Sequence, residues 1–213
     1  MFSNKDLRKL IIPLVIEQLL AVTIGMADTV MVSSCGEAAV SGISLVDSIN
    51  FLLITLFSSL ATGGAVIASQ YIGRGDHKSA SLAAKQLFYA SLALSAVLGV
   101  IAVFFRKPVL NMVFGSIEAD VMAHAQIYFL LSAISYPFLA VYNAGAALFR
   151  SMGDSRTTML ISILMNTINI VGNAILIYGF QMAAAGAAAA SLVSRAVGAI
   201  IITVLLLNPR RII

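Results

Sequence analysis

Two carboxylates interrupt the first apolar stretch of this sequence. Glu17 and Asp28 stand inside LIIPLVIEQLLAVTIGMADTVMV, residues 10–32. An ionised group in such a stretch is costly, so each needs a reason to be there. The two are eleven residues apart. At about 100° per residue that is close to three full helical turns, so they share one helix face. Their separation along the axis is roughly 16 Å, which makes them two sites and excludes a single acid/base pair.

A second polar feature lies in ISILMNTINIVGNAILIYG, where Ser162, Asn166, Asn169 and Asn173 recur at spacings of 4, 3 and 4. That is one helical face written in polar residues on an apolar helix. Hydrogen bonding between membrane helices accounts for such a stripe as well as ligand binding does. Depth separates the two readings. Counted from the cytoplasmic ends, Asp28 lies roughly 27 Å up, Asn173 roughly 24 Å, Asn169 roughly 18 Å and Ser191 roughly 24 Å. If their faces converge, a carboxylate, two amide oxygens, a hydroxyl and a backbone carbonyl form a hard oxygen cage. Such a cage suits Na⁺ or, with Asp28 protonated, H⁺. Arg195, at a depth of roughly 18 Å, is within side-chain reach of Glu17 at roughly 10 Å. A Glu17–Arg195 ion pair is one reading. A cytoplasmic pathway lined by Glu17, with Gln18 and Asn166 as further polar positions, is the other. Asp47 reads as a solvated charge near the outer start of the second span. Met26, Tyr136 and Met165 read as core packing or as an adaptable apolar binding surface.

The elements that carry these residues follow from composition. The chain has 213 residues, 60% of them hydrophobic and 10% charged, with a net charge of +4. A soluble domain carries about 25% charged residues, so lipid is the expected solvent for most of this surface. The basic residues fall in short clusters between apolar runs, with no long basic face for nucleic acid. The single cysteine, Cys35, excludes an internal disulfide and a cysteine metal cluster. No HExxH, phosphate-cradling glycine loop or nucleophile pattern occurs, so an enzyme is not expected.

Apolar runs predict an all-α bundle of six transmembrane helices, near residues 10–32, 44–72, 82–105, 121–149, 157–179 and 183–207. The segment 106–120 reads as a break that forms a short interfacial helix. Pro13 and Pro137 should kink their spans, and Gly63-Gly64 should admit a close neighbour. The first run lacks a small-residue cleavage site and reads as a retained helix. Lys5, Arg8, Lys9, Arg74, Lys78, Lys85, Arg150, Arg156, Arg210 and Arg211 fall at one set of ends, against Arg106 and Lys107 at the other. The bias predicts cytoplasmic termini. RGD at residues 74–76 is a three-residue match in a cytoplasmic loop, the wrong place for an adhesion ligand.

The order of several short motifs carries a resemblance. Pro13 and Gln18 come early in the first span, and ADTVMVS ends it. ASQYIGRGDHKSA closes the second span, and RSMGDSRTT follows the fourth. NxxNxxxNxxLIYG fills the fifth, and GAAAASLVSR opens the sixth. Across essentially the whole chain this resembles the N-terminal half of a multidrug and toxic compound extrusion (MATE) transporter. The resemblance implies one of two six-helix lobes that together export organic cations and amphipathic drugs by alternating access, driven by Na⁺ or H⁺, in the plasma (inner) membrane. It needs no cofactor beyond the coupling ion. It implies a cation site of Asp28, Asn169, Asn173, the Ala187 carbonyl and Ser191. Asn173 stands where many relatives carry a second carboxylate, and Ser191 where threonine is common. The resemblance covers one lobe, so the expected partner is the C-terminal lobe or a second copy. Two alternatives stay open: a membrane fragment without transport activity, and a flippase of a related superfamily. A flippase would line its cleft with several cations, whereas only Arg195 lies within a span.

Overall fold

The computed structural model describes residues 4–207. Arg210 and Arg211 lie outside the described residues, as do the side chains of Lys5 and Lys9. Six long helices follow one another: α1 Asn4–Ser33, α2 Glu37–Gly73, α3 His77–Phe114, α4 Ala119–Ser151, α5 Ser155–Asn173 and α6 Ala183–Leu206. α5 runs on into a π-helical segment, Ala174–Gly179. Among the described residues there is no strand. Each helix contains a window apolar and long enough to cross a bilayer. In hydrocarbon an unpaired backbone amide has no water to turn to, so these stretches close their hydrogen bonds within themselves.

The helices overrun the apolar windows that announce them. α2 has 37 residues and α3 has 38, each about 55 Å long against a hydrocarbon core of about 30 Å. The segment after residue 105 is the short helix expected there, joined directly to α3 and set off from it by a kink. It continues α3 to Phe114 across an interior break at Phe105 (φ −107°, ψ 19°). Pro108 cannot donate to the Phe104 carbonyl, and the chain leaves helical geometry within that turn. Pro137 acts differently. It leaves the Ala133 carbonyl without its helical donor, and a Cβ placed on Gly99 of α3 would come within 3.0 Å of that oxygen. The absence of a side chain at Gly99 lets α3 approach the freed carbonyl.

The α2–α3 and α4–α5 turns repeat one device. Gly75 (φ 76°) and Gly153 (φ 83°) reverse the chain in the left-handed region. An aspartate follows each, and Asp76 and Asp154 accept the backbone N–H of Ser79 and Thr157. The aspartate satisfies one of the orphan donors of the new helix. The α5–α6 turn is also three residues long, and it holds Gln181 and, at the first position of α6, Ala183 at positive φ.

α4 is the central helix. Of its apolar window 56% is buried, against 6% for α1. α4 packs against α2, α3 and α6, whereas α1 leans chiefly on α5. Gly42 shows how closely α2 meets α4, because a Cβ there would lie 2.8 Å from the Val121 carbonyl oxygen. Gly64 faces Leu87 of α3, while Gly63 has no neighbour within 4 Å of such a Cβ. The core is apolar, with Tyr136, Phe57 and Phe129 almost fully buried. Large apolar side chains also stand exposed on all six helices, as expected of a surface meant for lipid or for a neighbouring protein lobe.

Candidate cation-binding site

Asp28, Asn169, Asn173 and Ser191 meet in the half of the bundle that holds the α1–α2 turn. α1 supplies the carboxylate. α5 supplies the two amides one helical turn apart, and α6 supplies the hydroxyl. The Asn173 amide nitrogen donates to Asp28 Oδ1 and also to Asn169 Oδ1, the latter at 3.4 Å. The Asn169 amide nitrogen donates to the Ser191 hydroxyl at 3.0 Å. Asn173 is fully buried, and its Oδ1 has no hydrogen-bond partner among the described residues. A buried amide oxygen without a donor costs free energy. Ala187 lies one turn before Ser191, buried in an apolar cluster with Val32, Ala39 and Ile177.

The backbone changes character at this point. The π-helical segment begins at Ala174, directly after Asn173. π-turns inside α-helices occur disproportionately at functional sites. The sequence carries no local mark of this widened turn.

The polar stripe of α5 divides. Asn169 and Asn173 face Asp28. Asn166 donates to Ser162 at 3.4 Å, and Ser162 contacts the Tyr142 hydroxyl. That lower half leads to Glu17, which is buried and accepts from Tyr142 and Thr158, both at 3.4 Å. The ion partner of Glu17 is Arg150, at 3.6 Å. The expected Glu17–Arg195 pair is therefore replaced. Arg150 belongs to the last turn of α4 rather than to a loop, so it can reach back along the helix to the carboxylate. Arg195 instead donates to the Ser135 hydroxyl at 2.6 Å. Gln18 is exposed, about 100° around α1 from Glu17, and does not join it.

Asp47 is not a charge at a helix start. α2 begins at Glu37, and Asp47 lies almost three turns inside it. Its Oδ1 accepts from the Tyr128 hydroxyl at 3.0 Å and from the Asn50 amide at 3.2 Å. Asn50 in turn accepts from Tyr136 at 2.8 Å. This network was missed from sequence because its members come from different helices. Arg195 lies within electrostatic reach of both Asp28 and Asp47. Among the described residues no three His, Cys, Asp or Glu side chains converge as around a multivalent metal, and the Asp28 cluster has one carboxylate.

Six bilayer-length helices with polar side chains joined across the bundle define a multi-pass α-helical membrane protein. The MatE family model matches residues 13–175, and the chain belongs to that family of multidrug efflux transporters. It is 31% identical over 209 residues to a probable multidrug resistance protein NorM of Thermotoga maritima, covering 94% of this chain and 44% of that protein. It is 29% identical over 203 residues to a transporter of Bacillus subtilis, YisQ, covering 93% and 44%. The outward-facing conformation of a multidrug resistance MATE family transporter superposes with a TM-score of 0.91. At 24% identity that likeness speaks for the fold, over 98% of this chain and 46% of that one. The chain thus corresponds to the N-terminal half of a MATE transporter and spans less than half the length of the curated relatives it matches.

Proposed function

We propose that residues 1–213 form a single six-helix lobe of a cation-coupled exporter of organic cations and amphipathic drugs. It works by alternating access in the plasma (inner) membrane with both termini in the cytoplasm. Its partner is a C-terminal lobe or a second copy of the chain. The coupling cation, Na⁺ or H⁺, is taken up at Asp28.

The arrangement of the Asn173 amide carries this reading. Its NH₂ group sits between an oxygen of Asp28 and an oxygen of Asn169, while its own oxygen has no partner. A half-turn of the amide exchanges the two ends. Three oxygens, from Asp28, Asn169 and Asn173, then face one point, with Ser191 and the Ala187 carbonyl on the α6 side. Like-charged oxygen dipoles repel unless a cation or a proton lies between them. One carboxylate balances one positive charge, so a monovalent ion leaves the site neutral, which membrane burial favours. Protonation meets the same need, because a neutral Asp28 can donate to the turned amide oxygen.

The test is ethidium efflux from energised cells of an efflux-deficient bacterium, comparing the chain with Asp28→Asn. Efflux that disappears in the variant supports coupling at Asp28 and a transporting pair of lobes. Undiminished efflux in a membrane-inserted variant refutes the coupling role.

A further inference from the structure

A polar stripe runs along an otherwise apolar exposed surface of α2. Ser44, Ser48, Thr55 and Thr62 recur at spacings of 4, 7 and 7, which places them on one helix face, and all four are exposed. The hydroxyls of Ser48, Thr55 and Thr62 donate to carbonyls one turn back in their own helix, so their lone pairs face outward. Asp47 borders this stripe, exposed on the residue scale. Phe51, one turn deeper on the same side, is 69% exposed. An ionised carboxylate is expensive against acyl chains, so the Asp47 side of α2 looks into water or toward another lobe.

Asp47 is also held for use. Both of its donors, Tyr128 and Asn50, reach Oδ1. Oδ2 has no hydrogen-bond partner among the described residues. Asn50 is itself fixed by the buried Tyr136 and by Ser132, so the carboxylate is presented by a rigid support. No basic side chain forms an ion pair with it, since the one ion pair among the described residues is Glu17–Arg150. Arg195 is near but committed to Ser135.

We propose that Asp47 is the anchor for the organic cation, a second site distinct from the coupling site at Asp28. Its free Oδ2 takes the positive charge, and Phe51 offers an aromatic surface to a flat cationic ring system. An exposed carboxylate beside an aromatic selects a lipophilic monocation over a hydrated metal ion, because the ring face rewards a weakly hydrated charge. The proposal rests on the exporter reading and adds how the two cargoes interact. Asp28 and Asp47 lie within electrostatic reach of each other, with Arg195 near both. Neutralising one carboxylate reduces the charge that Arg195 must balance alone, so a cation at Asp28 weakens the hold of Asp47 on its own cation. Antiport requires coupling of that sign.

The experiment measures ethidium binding by fluorescence to the full chain in lipid nanodiscs, at several Na⁺ concentrations and pH values. Asp47→Asn is expected to weaken binding roughly tenfold, as for loss of one desolvated charge partner. Asp47→Glu, which keeps the charge, should stay within about threefold. Asp120→Asn, which removes an exposed charge at the outer end of α4, should change nothing. Ethidium binding unchanged in Asp47→Asn, equal losses in the Asn and Glu variants, or no binding by the native chain would each overturn the proposal. The exporter reading fails separately, if Asp28→Asn leaves the Na⁺ and pH dependence of ethidium binding intact.

Discussion

The two acids of α1 solve one problem in opposite ways. Glu17 and Asp28 both sit in a helix meant for lipid, and both are drawn into the bundle by polar groups of α5. Glu17 meets a full positive charge, Arg150 at 3.6 Å, and two hydroxyls. Asp28 meets a neutral amide, and the nearest cation, Arg195, is engaged with Ser135. A carboxylate whose countercharge is built into the protein is part of the structure. A carboxylate whose countercharge is missing has to obtain it from solution, and can give it back. The contrast sets an acid paired within the protein beside one with no ion pair among the described residues, within a single helix.

A first expected effect follows from that difference. A cation that binds the folded lobe stabilises it by about 2.7 kcal/mol at a concentration 100-fold above its dissociation constant. In nanodiscs the native chain should therefore melt at a higher temperature as Na⁺ is raised or, for proton coupling, as pH is lowered. Asp28→Asn should abolish the response, and Glu17→Gln should leave it in place at a lower baseline. A response that survives in Asp28→Asn, or is lost in Glu17→Gln, reverses the two roles.

The pair at the other end of α1 predicts an asymmetry. Arg150 has 30% of its side chain exposed and Glu17 has 11%. Arg150 left alone can turn toward water, whereas Glu17 left alone stays buried. Arg150→Met should cost about 2–4 kcal/mol and Glu17→Gln about 1–2 kcal/mol. The double variant should cost less than the sum, because it leaves no orphan charge. Thermal denaturation of all four chains decides it. Equal single costs would mean that Arg150 is as confined as its partner.

Packing sharpens the comparison at the level of helices. α1 is lightly held, and a methyl group on Gly25 would meet nothing within 4 Å. α2 is locked to α4, and the same methyl on Gly42 would press on backbone atoms of Val121 and Ala125 at 2.8 and 2.9 Å. Backbone in two packed helices cannot step aside as a side chain can. Gly42→Ala should cost about 1–3 kcal/mol. Gly25→Ala should be neutral or stabilising by up to about 1 kcal/mol, through helix propensity alone. Matching melting temperatures for the two variants would contradict the rigid α2–α4 contact.

These contrasts also mark what the sequence could reveal. The six helices were legible because each apolar run exceeds the length a bilayer demands, and composition alone carries that signal. Asn169, Asn173 and Asp28 were legible as a group because helical period and depth are both linear in residue number. Arg150 was not, because a basic residue in the turn-like RSMGDSR reads as loop, while the backbone N–H groups of Met152, Gly153 and Asp154 close the last carbonyls of α4 and the helix runs through Ser151. The role of Asp47 was hidden for a related reason. An acid near a span's edge reads as a helix-start charge until the helix is known to start ten residues earlier. The short helix after Phe105 was legible, but its direct attachment to α3 was not, because Arg106, Lys107 and Pro108 ordinarily end a membrane helix. The π segment leaves no trace at all, since the same apolar residues fit either winding.

The smallest effect belongs to a third acid, Asp76, which contrasts with both acids of α1 by lying in water. Hydrogen bonds from the hydroxyl and the backbone N–H of Ser79 hold its carboxyl below the ordinary carboxylate value. The folded value is depressed relative to the unfolded one, near 3.9. Its contribution is therefore present above the unfolded value and lost as pH falls through the folded value. The amide resonance of Ser79 should titrate with a midpoint below about 3.9, and Asp76→Asn should remove that titration while keeping a capping side chain. A midpoint at or above the ordinary value would mean that the cap does not favour the ionised form. Because the group is exposed, the dependence should fade in high salt only to the extent that charge, rather than hydrogen bonding, sets it. Asp76 thus gives the reference against which the acids inside the bundle are to be read: a carboxylate that needs neither an ion from solution nor a buried partner, because water and one helix terminus suffice.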